Sequence, residues 1–165
     1  MATPTSLPAT FVAGDVLTAA QMNDLRGAFR VLQVVTATYS TQTTSSSNAF
    51  ADTGLTASIT PSATSSKILV VVQQAGCGKS ASDTEAQIKL LRGATDISTF
   101  ASQVGLTGSA ATNIVGTQGV IYLDSPATTS STTYKTQFRS VANTASAVVQ
   151  GNGCMSTIAL LEISA

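Results

Sequence analysis

The strongest signal along the chain is an alternation of apolar and polar positions with period two, interrupted by runs of small hydroxyl residues. From Thr133 to Ser140, Tyr134, Thr136 and Phe138 alternate with Lys135, Gln137 and Arg139, the pattern of a strand with one face in a core and one in water. Lys67 to Gln74 reads differently. Ile68, Leu69, Val70, Val71 and Val72 are an unbroken apolar run, β-branched at four of five positions, which predicts a strand in the middle of a sheet and covered on both faces. Pro61 and the hydroxyl residues up to Ser66 predict a tight exposed turn. Leu55, Ala57 and Ile59 ahead of it are then expected to form an antiparallel neighbour of that central strand. Further strands are predicted at Leu32–Tyr39, Phe50–Thr60, Glu85–Arg92, Gly119–Asp124, Ala145–Gln150 and Ser156–Ile163, the last apolar on both faces. Ser125 to Thr132 reads as the connection of a hairpin between Gly119–Asp124 and Thr133–Ser140, and Gly93 to Asp96 as a turn. Gly105, Gly108 and Gly116 divide residues 97–118 into pieces that fit either short strands or a long loop. About eight strands with turns every 8 to 12 residues predict a mainly β chain, an antiparallel β-sandwich or jelly roll.

The amino-terminal stretch breaks this period. Residues 1–14, with Pro4, Pro8 and Gly14, read as an extended arm, and a helix start follows. Thr18 is a good N-cap, Gln21 completes a capping box, and Leu17 and Met22 form a hydrophobic staple. Met22, Leu25, Phe29 and Leu32 then recur at helical spacing, one apolar stripe on a helix running to about Leu32. A helix of about 14 residues is marginal alone in water, so its stripe has to be buried. It could dock on its own sandwich, or pack against copies of itself or a host particle. The arm ahead of it is apolar too, with Leu7, Phe11, Val12 and Val16, which favours the second. The chain thus divides into an arm and amphipathic anchor helix over 1–35 and a β-sandwich over 36–165. The expected anchor or oligomer interface is Leu7, Phe11, Leu17, Met22, Leu25, Phe29 and Leu32.

Composition narrows the function classes. Only 10% of the 165 residues are charged and the charges cancel, so no field points to nucleic acid or to an anionic membrane. The 47 Ser and Thr residues supply polarity in place of charge. No apolar segment approaches the roughly 18–20 residues needed to span a bilayer. Met1 to Pro8 lacks the basic and apolar regions of a secretion signal, so synthesis in a cytoplasm is expected. Cys77 and Cys154 are too few for a disulfide scaffold. They read as reduced structural thiols, with a bond between them as the alternative.

Catalytic chemistry finds little purchase. There is no His, which excludes Ser-His-Asp and Cys-His arrangements and the usual zinc sites. Gly76-Cys77-Gly78-Lys79-Ser80 follows a strand as a phosphate-binding loop should, but the Gly required five residues before Gly-Lys-Ser falls on Gln73. The eight carboxylates, Asp15, Asp24, Asp52, Asp83, Glu85, Asp96, Asp124 and Glu162, are scattered, and only Asp83 and Glu85 are close in sequence. No enzyme activity, cofactor or metal is expected. Without Trp, an aromatic sugar platform has only tyrosines to draw on, and Tyr122 and Tyr134 sit in predicted strands as core or interface residues.

Several series resemble a β-domain of virion structural proteins of tailed bacteriophages. They are Asp52-Thr53-Gly54-Leu55-Thr56-Ala57-Ser58-Ile59-Thr60-Pro61, Thr64 to Val70, Leu91-Arg92-Gly93-Ala94-Thr95-Asp96-Ile97, Leu123 to Lys135 and Ser156 to Ile163. Phe11 to Asn23 is similar to the opening of phage fibre-type proteins. The resemblance implies a non-enzymatic β-sandwich, commonly homotrimeric, attached to the particle by its amino end. The leading expectation is a short tail or head fibre or spike, and the alternative is a capsid decoration (cement) protein. The implied partners are copies of itself, other virion proteins and a host surface receptor, with no nucleic acid and no membrane insertion. The implied location is the virion, after synthesis in the host cytoplasm.

Overall fold

The computed structural model describes residues 31–108, 113–141 and 145–164. They form ten antiparallel strands: β1 (Val31–Tyr39), β2 (Thr43–Ser45), β3 (Ala51–Ile59), β4 (Lys67–Lys79), β5 (Ala86–Arg92), β6 (Thr95–Val104), β7 (Asn113–Asp124), β8 (Thr132–Ser140), β9 (Ala147–Val149) and β10 (Ser156–Ile163). The long strand β4 organises the first sheet. One of its edges pairs with β10 over residues 67–73 and then with β9 at Gly78 and Lys79, while its other edge carries β7. β1 lies outside β10, and β2 outside β9. The second sheet has the order β3-β8-β5-β6. Counting β1/β2 and β9/β10 each as one column and numbering columns along the chain, the sheets read 1-8-3-6 and 2-7-4-5. This is the two-sheet jelly roll.

Two expected pairings differ from those observed. β3 does not pair with β4, and β7 does not pair with β8. β3 and β8 are neighbours in the second sheet, and β4 and β7 in the first. The connections 60–66 and 125–131 therefore cross between sheets, and their length lets them do so. β5 and β6 do form a hairpin, pairing from Arg92 with Thr95 across Gly93 and Ala94, so strand β6 begins inside the expected turn. β6 and β7 also settle the ambiguous 97–118 region as strand on either side of residues 105–112. β4 runs five residues past Gln74, so Gly76, Cys77, Gly78 and Lys79 are strand residues.

Between the sheets, Leu55, Ala57, Ile59, Ile68, Val70, Val72, Leu90, Tyr134, Ile158 and Leu160 form one apolar cluster, and a second gathers around Cys77, Ile88, Phe138 and Val149. A buried polar belt joins the sheets. Thr136 of β8 shares a 2.6 Å hydrogen bond with Thr53 of β3 and donates to Gln74 Oε1 of β4 at 2.9 Å. Gln74 Nε2, Gln150 Nε2 and the Ala75 amide all converge on Ser156 Oγ within 3.1 Å. Hydrogen bonding offsets much of the desolvation cost of polar groups in a core, although Gln150 Oε1 is buried here with no partner among the described residues.

Gly76 and Gly93 separate two reasons for a glycine. Both have left-handed φ, +59° and +58°. A Cβ on Gly93 would meet nothing within 4 Å, whereas one on Gly76 would lie 2.4 Å from the Gly151 amide nitrogen. Gly93→Ala is expected to cost about 1 kcal/mol of backbone strain, and Gly76→Ala about 3 kcal/mol or more because strain and collision add. Urea denaturation of the two variants checks this, and equal losses would mean that the approach of β4 to Gly151 is loose.

Candidate functional site

The two outer faces of the sandwich are unlike. On the second sheet, the outward positions carry charge. Lys135 pairs with Asp52 and Lys89 with Asp96, both at 2.9 Å, and Gln137 and Arg139 extend the ladder to Asp52 and Gln87. Lys89 and Arg139 also sit over the Phe50 ring, 4.1 and 4.8 Å from its centroid. That face is saturated with its own contacts and suited to water.

The outer face of the first sheet carries apolar rows instead. Strand register aligns Val34, Leu161, Leu69 and Leu123 in one row across β1, β10, β4 and β7, and Thr36, Ala159, Val71 and Ile121 in the next. Val31 and Ile163 continue the face toward the end at which β1 begins. None of the eight side chains in the two full rows is buried. Ile121 is 73% exposed, Leu123 58% and Val34 57%. Contiguous apolar surface of this kind marks an interaction site, whereas scattered exposed apolar residues do not. The rows arise because β4 and β10 are apolar at both parities, and only one parity can face the core.

The ends of the sandwich hold the buried ionic groups. At the end where β1 starts, Asp124 of β7 accepts Arg92 Nη1 at 2.8 and 2.9 Å and the Tyr134 hydroxyl at 2.6 Å, joining the two sheets. Burial, reinforced by Asp124, pushes the Tyr134 phenol far above its ordinary range. Arg92 also lines a shallow dish with Gly93, Pro126, Thr128, Ser131, Thr132 and Thr133. Nearby, Glu162 is buried beneath the 60–66 loop. Burial alone would raise its carboxyl, but hydrogen bonds from Ser62, Ser66 and Gln33 outweigh it and hold the pKa down at about 2. At the opposite end the buried Lys79 ammonium donates to the Thr107 carbonyl at 2.8 Å.

The residues singled out for chemistry do not converge. Lys79 ends a strand, and bend and turn at residues 80–83 lead directly into β5 at Ala86, so no helix amino terminus follows to hold a phosphate. Among the described residues no group of three or more His, Cys, Asp or Glu could hold a metal ion. Cys77 is buried, donates to the Gln74 carbonyl at 3.2 Å, and has its thiol pushed up to about 12 by burial, while Cys154 is exposed; both are free thiols. Tyr134 is a core residue and Tyr122 packs against the same cluster.

Of the expected interface, Leu7, Phe11, Leu17, Met22, Leu25 and Phe29 lie outside the described residues. Leu32 is the second residue of β1, 40% exposed at the corner of the apolar face, and so stands on a strand and not at the end of a helix. Val34, Leu69, Leu123, Ile121 and Leu161 were not anticipated as surface. Their signal was present in the unbroken apolar run of β4 and the two-faced β10, which reads equally well as burial on both sides.

Comparison with protein-family models gives no match, and no curated protein matches the chain. Among solved structures the chain is similar to VP2 of infectious bursal disease virus, in the crystal structure of its subviral particle, at 15% identity and a TM-score of 0.46. The similarity covers 79% of this chain and 39% of that one, so this chain spans about two fifths of its length. The jelly-roll assignment for this chain rests on its own strand pairing.

Proposed function

We propose that the chain is a non-enzymatic structural protein of a bacteriophage virion, a short fibre or spike that assembles as a homo-oligomer, a trimer in the arrangement its sequence resemblance implies. The observation that carries this reading is the apolar outer face of the β1-β10-β4-β7 sheet, set against a charge-laddered face on the other side. A monomer in water has no use for rows of exposed Leu, Ile and Val, and an assembled component buries them. The described chain begins at Val31, at the same end of the sandwich as the Arg92–Asp124 cluster, so anchoring by the amino end leaves the opposite end, with connections 46–50 and 80–85 and residues 105–108, pointing outward toward a host.

Replacing Ile121 with Lys and Leu123 with Glu together tests the reading. Both side chains are more than half exposed, so the fold is expected to keep its stability to within about 1 kcal/mol. Mass in solution, measured by light scattering, is expected to fall from oligomer to single chain, with loss of incorporation into particles. A wild-type protein that is already a single chain at all concentrations, and that joins no particle, would sink the proposal. Labelling the protein on whole particles then separates the two placements. A few copies at tail or neck support the fibre, and copies tiled over the head indicate decoration.

A further inference from the structure

We infer that the apolar outer face of the β1-β10-β4-β7 sheet is covered by residues 7–29 of a second copy of this chain, so that the oligomer is built by exchange of amino-terminal segments. The inference rests on the assembly reading above and names the occupant of its interface. Ahead of the described residues the sequence carries an apolar stretch from Leu7 to Phe29. It carries Leu7, Phe11, Val12, Val16, Leu17, Met22, Leu25 and Phe29 with only Asp15, Asp24 and Arg26 charged. The rows on the sheet are of the same chemistry, with no charged side chain among their eight central positions.

The reach that a covering segment needs can be measured on the face itself. Val31 is already paired with Ile163, on the outermost strand, and the first full row lies three residues further on, about 10 Å away. Ile121 and Leu123, the most exposed large apolar residues of the two rows, are on β7, three strand spacings or about 14 Å across. Ten residues of extended arm, Leu7 to Val16, span up to about 33 Å, enough to cross all four strands.

The same junction argues for exchange. Only Arg30 separates Phe29 from the β1 ladder, and reversing direction to lie over the sheet just left takes a connection of about two residues or more. A neighbour's segment meets no such constraint. In the proposed oligomer one copy's segment continues past the end of its own sheet and reaches the face of the next copy.

The test places a photo-activated cross-linking amino acid at position 123 of the full-length chain, in place of the exposed Leu123. After irradiation, the product is run on a denaturing gel and its cross-linked peptides are mapped. The expected result is a covalent species of two or more chain masses, linking position 123 to a peptide within 7–29. A species of one chain mass with the same peptides linked would mean that the segment covers its own sheet, and would overturn exchange. Multi-chain species linked only through residues 31–164 would show sheet packing on sheet, overturning the inference while leaving assembly intact. A single-chain protein with no cross-link to 7–29 would overturn both.

Discussion

Asp124→Ala is expected to destabilise the protein by about 3 kcal/mol or more. The carboxylate is 6% exposed and accepts from the Arg92 guanidinium and the Tyr134 hydroxyl, two groups on the other sheet. Removing it leaves a phenol buried without a partner and a cation whose remaining acceptor is the Ser125 carbonyl at 3.3 Å. Breaking a buried pair from one side costs about 3–5 kcal/mol because the surviving charge stays desolvated. The Arg92 side chain is 31% exposed and water can relax it, which places the expected loss near the lower end. Tyr134→Phe serves as the comparison. It removes one hydrogen bond and leaves the ion pair, so about 1–1.5 kcal/mol is expected. Urea denaturation reads both, and a loss under about 1 kcal/mol for Asp124→Ala would show that this cluster does not hold the sheets together.

Glu162 is expected to make the fold acid-labile. Its carboxyl has an ordinary value of 4.5 and is held at about 2 in the folded state, with Gln33 Nε2 at 2.6 Å on one oxygen and the Ser62 amide and hydroxyl on the other. A folded pKa below the unfolded one means that the unfolded chain takes up the proton first. The stabilisation is thus complete above about pH 4.5 and is lost as pH falls toward about 2. The gap between the two values corresponds to about 3 kcal/mol. Glu162→Gln keeps an acceptor for Ser62 but turns an amide N–H toward Gln33 Nε2, so the variant is expected to be weaker than wild type at pH 7. It should also be flat where the wild type falls. The urea midpoints of the two proteins should converge between pH 4.5 and 2, and since the difference is what is read, the other carboxylates cancel. Parallel curves over that range would remove Glu162 as the cause.

The fold class was legible because period two is a local property. Tyr134, Thr136 and Phe138 face inward and Lys135, Gln137 and Arg139 outward, as their alternation requires, and Ser156–Ile163 has the bounds that its composition predicts. The buried ionic groups were visible as residue types but not as sites. Asp124 and Arg92 are far apart in sequence, and so are Glu162 and Ser62, and each pair is joined only when strands from different parts of the chain reach the same end. The apolar face was misread for a similar reason. An unbroken run such as Ile68 to Val72 says that both parities are apolar, and nothing local says that one parity has no cover within the sandwich.

The sequence by itself determined where most of the strands lie, which side faces inward in those that alternate, such as Thr132–Ser140, and the turn after Arg92. Tertiary structure alone decided which strands are neighbours. A two-residue link such as Gly93-Ala94 forces a hairpin, but the connections 60–66 and 125–131 are long enough either to turn back within one sheet or to cross to the other. Inward-facing Leu, Ile and Val look the same from either sheet. The choice is made by global packing, in which crossing brings Asp124 to Arg92, Gln74 to Thr136, and the surplus apolar rows of four separate strands onto one outer face.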